Sequence, residues 1–224
     1  VGAAVSNFLK GTVARHGMRP GTRSVQLRAF ALLVCVSIWI LPAGAQPAPA
    51  KSAVATAHPL ATRAGEEILA AGGNAFDAAV AISAALAVVE PYASGLGGGG
   101  FWLLHEADSG RQIVIDGREV APAAATRDMY LDAQGNPRPG VTMDGPLAAG
   151  IPGEPAALVH LAKRYGRLPL ATSLAPAIRY ADEGIEISRG IGMGLKFRAD
   201  AARKSPAFAA LYLPGGVPRQ PGAK

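Results

Sequence analysis

The chain has 224 residues, half of them apolar, with 28 Gly, 18 Pro and one Cys, enough to bury one core but too rich in Gly and Pro for a simple helical bundle. Its formal charge of +6 is uneven: Lys10, Arg15, Arg19, Arg23 and Arg28 precede residue 45, and all 16 acidic residues follow it. The remainder holds 17 basic against 16 acidic side chains, a net of +1, so no basic patch survives and no nucleic-acid partner is expected.

In chain order, residues 1–45 read as a signal peptide with an upstream extension. Arg19, Arg23 and Arg28 form a positive region with Arg15 just before it, Ala29 to Leu41 is an apolar run of 13 residues, and Ala43-Gly44-Ala45 is a small-residue cleavage site. Thirteen helical residues reach only about 20 Å, short of the roughly 30 Å hydrocarbon core, so no stable membrane span is expected. Met18, just ahead of this region, is an alternative start to Val1. Cys35 lies inside the apolar run behind Val34, which is not the small residue a lipid-anchoring Cys follows. The segment beyond therefore has no thiol for a disulfide, a CxxC metal site or a nucleophile. Export to a periplasmic or extracellular compartment is the expectation. Residues 46–53 form a Pro/Ala linker.

The first predicted helix spans Ala61 to Ala71 and stops at Gly72-Gly73. Asn74 reads as an N-cap, with Asp77 as the acidic partner in the first turn of a second helix ending near Val89. The Ala-rich face of that helix (Ala78, Ala79, Ala81, Ala84, Ala85, Ala87) suits packing flat on a sheet. Pro91 ends it. Two strands follow, Phe101 to His105 and Gln112 to Ile115, joined through Glu106 to Gly110. Ala133 to Pro137 is a turn, and residues 137–146 are loop. An amphipathic helix from Pro155 to Tyr165 closes on Gly166, and further helices are expected over Leu174 to Glu183, ending at Gly184, and Gly192 to Arg203. This order predicts an α+β layered domain rather than alternating βα units.

The glycine run Ser94-Gly95-Leu96-Gly97-Gly98-Gly99-Gly100 contains a GxGxxG match, but a helix precedes it and an aromatic strand follows. That inverts the strand–glycine–helix order of a dinucleotide site. The run reads either as a loop approaching a cleft or, more simply, as a helix-to-strand passage with no room for a Cβ. Ser94 stands in no GxSxG motif. His58, His105 and His160 are scattered singly as packing or surface residues, and no metal spacing occurs. Asp77 is explained by its helix start, and Asp128 by its neighbour Arg127.

Five segments in order resemble the gamma-glutamyltranspeptidase (glutathione hydrolase) family, specifically the N-terminal part of its large subunit. They are His58-Pro59-Leu60-Ala61, Gly72 to Ala79, the glycine run, Asp116-Gly117-Arg118-Glu119-Val120-Ala121-Pro122, and Gly150-Ile151-Pro152-Gly153. The resemblance covers about Val54 to Gly222 and implies an α+β fold of the N-terminal nucleophile hydrolase type. That is an αββα sandwich built by two subunits of one precursor, of which 54–224 would be only the opening portion, not closing a core alone. It implies γ-glutamyl transfer or hydrolysis on glutathione or another γ-glutamyl donor, with no cofactor. The nucleophile would be a Thr heading the small subunit, the partner from the same precursor. None of Thr56, Thr62, Thr126, Thr142 or Thr172 stands in such a motif, so no catalytic residue is expected here and the fragment would be inactive alone. Alternatives are a related cephalosporin acylase or poly-γ-glutamate-processing enzyme, or a non-catalytic exported binding domain.

Arg118 is the candidate substrate-binding residue. A guanidinium is a permanent, planar fork of donors suited to a carboxylate, and Gly117 before it lets the backbone turn. The resemblance implies that it grips the donor's α-carboxylate. The plainer alternative pairs it with Glu119 or Asp116. Glu119 is expected to be structural, because neighbours on a continuing strand leave opposite faces.

Overall fold

The computed structural model describes residues 52–224, so the signal-peptide reading and most of the linker lie outside the described residues. Helix α1 (Pro59–Ala70) begins two residues before the expected Ala61. His58 caps it: its Nδ1 accepts the Leu60 N–H at 3.2 Å, and Pro59 fills the first turn, where no donor is needed. At the far end Gly73 N–H reaches back to Ile68 O at 3.0 Å across Gly72, whose φ of +90° only glycine adopts cheaply.

Helix α2 (Ala75–Val89) opens on a reciprocal cap. Asn74 Oδ1 accepts from Phe76 N and Asp77 N, and Asp77 Oδ2 accepts from Asn74 N at 2.9 Å. Asp77 is fully buried and does more than start a helix. Its two oxygens also accept the backbone N–H groups of Arg167 (2.9 Å) and Leu168 (3.3 Å), while Asn74 Nδ2 donates to Tyr165 O at 2.7 Å. The start of α2 thus holds the turn joining α3 (Glu154–Tyr165) to α4 (Leu170–Glu183).

Strands β1 (Gly100–Glu106) and β2 (Arg111–Gly117) form an antiparallel hairpin, with Gly100 opposite Gly117 and Glu106 opposite Arg111. Alternation puts Trp102, Leu104, Ile113 and Ile115 against Val80 of α2 and Leu158, Leu161 and Ala162 of α3. Trp102 Nε1 donates to Ser83 Oγ at 3.3 Å. The opposite face is bare: Phe101, Leu103 and Val114 are 60, 73 and 62% exposed.

The Ala stripe of α2 does not lie on the hairpin. Ala81, Ala84 and Ala85 pack with Ala61, Ala64 and Ile68 of α1 and Ala177 of α4, and Val80 alone of the buried α2 residues joins the sheet-side cluster. Small side chains let two helices approach as readily as a helix and a sheet, so composition did not decide between them. Helix α4 starts four residues before the expected Leu174, since Thr172 N and Ser173 N already bond Pro169 O. Helix α5 (Arg189–Arg203) starts three residues before Gly192, because Ser188 Oγ accepts Ile191 N–H at 3.2 Å. Helix α6 (Pro206–Tyr212) was not expected. No helix among the described residues is long and apolar enough to cross a membrane.

Candidate substrate-binding site

Three of the motifs converge at one end of the hairpin. Strand β2 stops at Gly117, and Arg118 N–H then donates to Asp116 Oδ1 at 3.0 Å, turning the chain. Val120 and Ile151 exchange backbone hydrogen bonds of 3.2 and 2.9 Å, tying the Arg118 segment to Gly150-Ile151-Pro152-Gly153. Gly153 N and Glu154 N both donate to Gly98 O at 3.1 Å, which brings in the glycine run. The fit allows no side chain at two points. A Cβ on Gly99 would stand 2.2 Å from Gly117 O, and one on Gly153 would stand 2.3 Å from the same oxygen and 2.5 Å from Arg118 O. The crowded-passage reading of the run therefore accounts for Gly99. It does not account for Gly95 or Gly97, around which there is open space.

The Arg118 side chain is 61% exposed, and its Nε lies 3.0 Å from Glu119 Oε2. The expectation that the two side chains diverge assumed a continuing strand; with β2 ended at Gly117 they converge, and the plainer pairing is present. Nε–H is not directed at the oxygen, so Glu119 Oε2 is buried without a hydrogen-bond donor. Glu119 Oε1 faces Gly98, 3.3 Å from where its Cβ would be.

A further acidic residue, beside Asp116 and Glu119, belongs to this corner. Glu154, the first residue of α3, is only 7% exposed, and its carboxyl has no hydrogen-bond partner among the described residues. Burial, and secondarily the charge of Glu119, pushes its pKa above the usual carboxylate range. In sequence Glu154 reads as an ordinary acid complementing a helix N-terminus; its burial is a tertiary property and left no local signal. A raised folded-state pKa disfavours the charged form, so the contribution of this one group to stability is fully present below the unfolded value of about 4.3 and is lost as pH rises through the folded value. Glu154→Gln should therefore flatten this loss. Thermal melts of both forms between pH 4 and 8 would check it; parallel melting curves across that range would contradict it.

The other candidates are dispersed. His58 caps α1, His160 stands edge-on to Tyr165 at 5.9 Å, and Arg127 pairs with Asp128 at 2.9 Å. No cluster of three metal-ligating side chains occurs among the described residues. A groove of about 1180 Å³ lies where Tyr92, Met143, Ile191, Met193, Phe197 and Phe208 meet, and Arg118 is not among its lining residues.

A family profile described as gamma-glutamyltranspeptidase matches residues 61–224. The chain is 39% identical over 209 residues to the glutathione hydrolase proenzyme of Pseudomonas sp. (strain A14), covering 92% of this chain and 36% of that protein. It is 41% identical over 177 residues to the acylase ACY 1 proenzyme of Pseudomonas sp. (strain V22), covering 76% and 32%. The gamma-glutamyltranspeptidase of Helicobacter pylori superposes with a TM-score of 0.73 at 40% identity, over 79% of this chain and 51% of that one. The helices on one face of the hairpin are thus part of an α+β fold of the N-terminal nucleophile hydrolase type, and the chain spans only a third to a half of the proteins it matches.

Proposed function

Because this chain belongs to the gamma-glutamyltranspeptidase family, we propose that it forms the substrate-gripping corner of a longer enzyme acting on γ-glutamyl donors such as glutathione. The observation that carries the reading is Arg118, held at the end of β2 by Asp116 and beside Glu119, with its guanidinium largely open to solvent. No hydrogen bond from the Arg118 guanidinium occurs among the described residues, which leaves the terminal nitrogens of the fork for a carboxylate. In this reading the remaining wall of the pocket, the nucleophilic Thr and the oxyanion-stabilising donors come from a small subunit cut from the same precursor. The Thr hydroxyl, with its own α-amino group as base, attacks the γ-glutamyl amide. The resulting ester passes to water or to an amine. Arg118 contributes by orientation, raising the effective concentration of the carbonyl at the hydroxyl. The Arg-rich and apolar leader with its Ala43-Gly44-Ala45 site supports export.

A second reading is an acylase on the same scaffold, favoured by the identity to an acylase proenzyme. The two differ in the acyl group held, and a free guanidinium favours a donor that carries a carboxylate. The test is release of p-nitroaniline from γ-glutamyl-p-nitroanilide by the full-length gene product, with gel analysis for self-cleavage into two chains. Arg118→Ala should raise the donor KM by about tenfold or more while cleavage into two chains proceeds. An unchanged KM would remove Arg118 from the site, and absence of both cleavage and release would favour a non-catalytic binding domain.

A further inference from the structure

The groove between α5, α6 and the turn at Met143–Gly145 has no part in that chemistry. It holds about 1180 Å³, and large apolar side chains stand open along it: Met143, Met193 and Phe197 are 63, 68 and 82% exposed. A soluble protein seldom leaves so continuous an apolar surface to water unless something occupies it. The near-balance of charge beyond residue 45 is, moreover, an average over two unequal parts. Residues 189–224 carry seven basic side chains against Asp200 alone, a net of +6, while residues 52–188 carry nine basic against fifteen acidic, a net of −6. The expectation that no basic patch survives therefore fails locally. Arg198 pairs with Asp144, Arg203 pairs with Asp200, and Arg219 donates to the backbone oxygens of Leu211 and Lys224. Arg189, Lys196 and Lys204 are exposed and in no ion pair among the described residues. At about 100° per residue, all three fall within roughly 60° of Met193 around α5, so the unpaired cations and the open apolar side chains share a face.

The geometry points to this groove as the seat of an amphipathic helix with acidic flanks, supplied by the part of the longer polypeptide outside this chain. The inference rests on the reading that the chain is one portion of a longer enzyme; it spans 36% of one matched protein and 51% of another. None of the groove's walls is a strand, so an extended segment laid in it would leave its own N–H and C=O groups unpaired. A helix satisfies those groups internally and offers only side chains. The 15 residues of α5 give a wall about 22 Å long, room for about four helical turns. The free cations call for carboxylates at the rim, while the hollow apolar floor suits neither a phosphate backbone nor a flat lipid surface. Continuity with the Arg118 corner favours the same polypeptide over an outside partner. Tyr92 on the groove wall is six residues from Gly98, whose carbonyl holds Gly153 and Glu154, a span of at most about 22 Å. On the other wall, Met143–Gly145 leads through a single 3-10 turn (Pro146–Ala148) to Gly150. A chain that completes the pocket at Arg118 is thus within reach of the groove.

Peroxide oxidation of Met143 and Met193 in the full-length gene product, read by peptide mass spectrometry, reports whether the groove is filled. Both thioethers should react at least about tenfold more slowly in the folded protein than in urea. Folded and unfolded rates within about twofold of each other would overturn the proposal. Protection that appears only when phosphatidylglycerol vesicles are added would also overturn it, and would assign the face to a membrane. Carbodiimide coupling should join Lys196 or Lys204 to an Asp or Glu beyond residues 1–224 of the same molecule; products confined to residues 1–224 would contradict the acidic flank. Lys196→Glu combined with Lys204→Glu should raise the Met193 oxidation rate about threefold by repelling that flank, and an unchanged rate would contradict it too. Turnover of γ-glutamyl-p-nitroanilide is measured alongside. Open thioethers with an Arg118-dependent KM sink the docking and leave the Arg118 reading in place; closed thioethers with Arg118→Ala unimpaired do the reverse.

Discussion

Asp77→Ala should lower the stability of the chain by about 3–5 kcal/mol, which for a domain of this size is a large share of the total. The substitution removes the acceptor for three backbone N–H groups, those of Asn74, Arg167 and Leu168. None of these donors gains another partner by the change, and each stranded buried donor costs about 1–3 kcal/mol. It also removes a negative charge from the N-terminus of α2, where the helix dipole favours one. Asp77→Asn tests the geometry separately. It keeps one acceptor oxygen but turns an NH2 towards a donor, and should recover only part of the loss. Urea denaturation midpoints of the three proteins report the differences; an Asp77→Ala midpoint matching the wild type would contradict the structural role given to this residue.

Gly153→Ala is the second large effect, and it acts on the site. The new methyl would stand 2.3 Å from Gly117 O and 2.5 Å from Arg118 O, both backbone atoms that cannot rotate away. Either the turn after β2 or the start of α3 must move, at a cost of about 1–3 kcal/mol for such overpacking. Because the displaced atoms are those that aim Arg118, the full-length product should also lose donor affinity by about tenfold. Gly97→Ala is the matched control: nothing lies within 4 Å of the added atom, and Gly97 has no positive φ. It should be neutral or slightly stabilising, by up to about 1 kcal/mol, through restriction of the unfolded chain. If the two substitutions behave alike in melting temperature and KM, the crowding at Gly153 is not what holds this corner.

The parts of the fold carried by local chemistry were legible in the sequence. Gly72-Gly73 followed by Asn74 and Asp77 contains its own stop and start signals, and the hairpin announced itself by two short apolar runs around a Gly-ended turn. Errors arose where distant packing decides. The Ala stripe of α2 fits a helix or a sheet equally well, and its choice of α1 and α4 depends on where those helices stand. Helix α6 is a single short element opening on Pro206, too brief for a periodic signal. Arg118 was singled out by its motif, but its convergence with Glu119 required knowing that β2 ends at Gly117. Glu154 was missed entirely, because the property that marks it is burial in the folded chain, which no local pattern announces.

The uncovered side of the hairpin bears on how such a chain lives. Phe101, Leu103 and Val114 form a greasy plank one hairpin wide, and no further strand pairs with either outer edge of the hairpin among the described residues. Surfaces of that kind adhere to their own kind when concentrated and are shielded only by a second layer laid across them. Under the function proposed above, maturation and solubility would be one problem for this polypeptide: the subunit proposed to complete the pocket would also have to arrive in time to keep that plank dry.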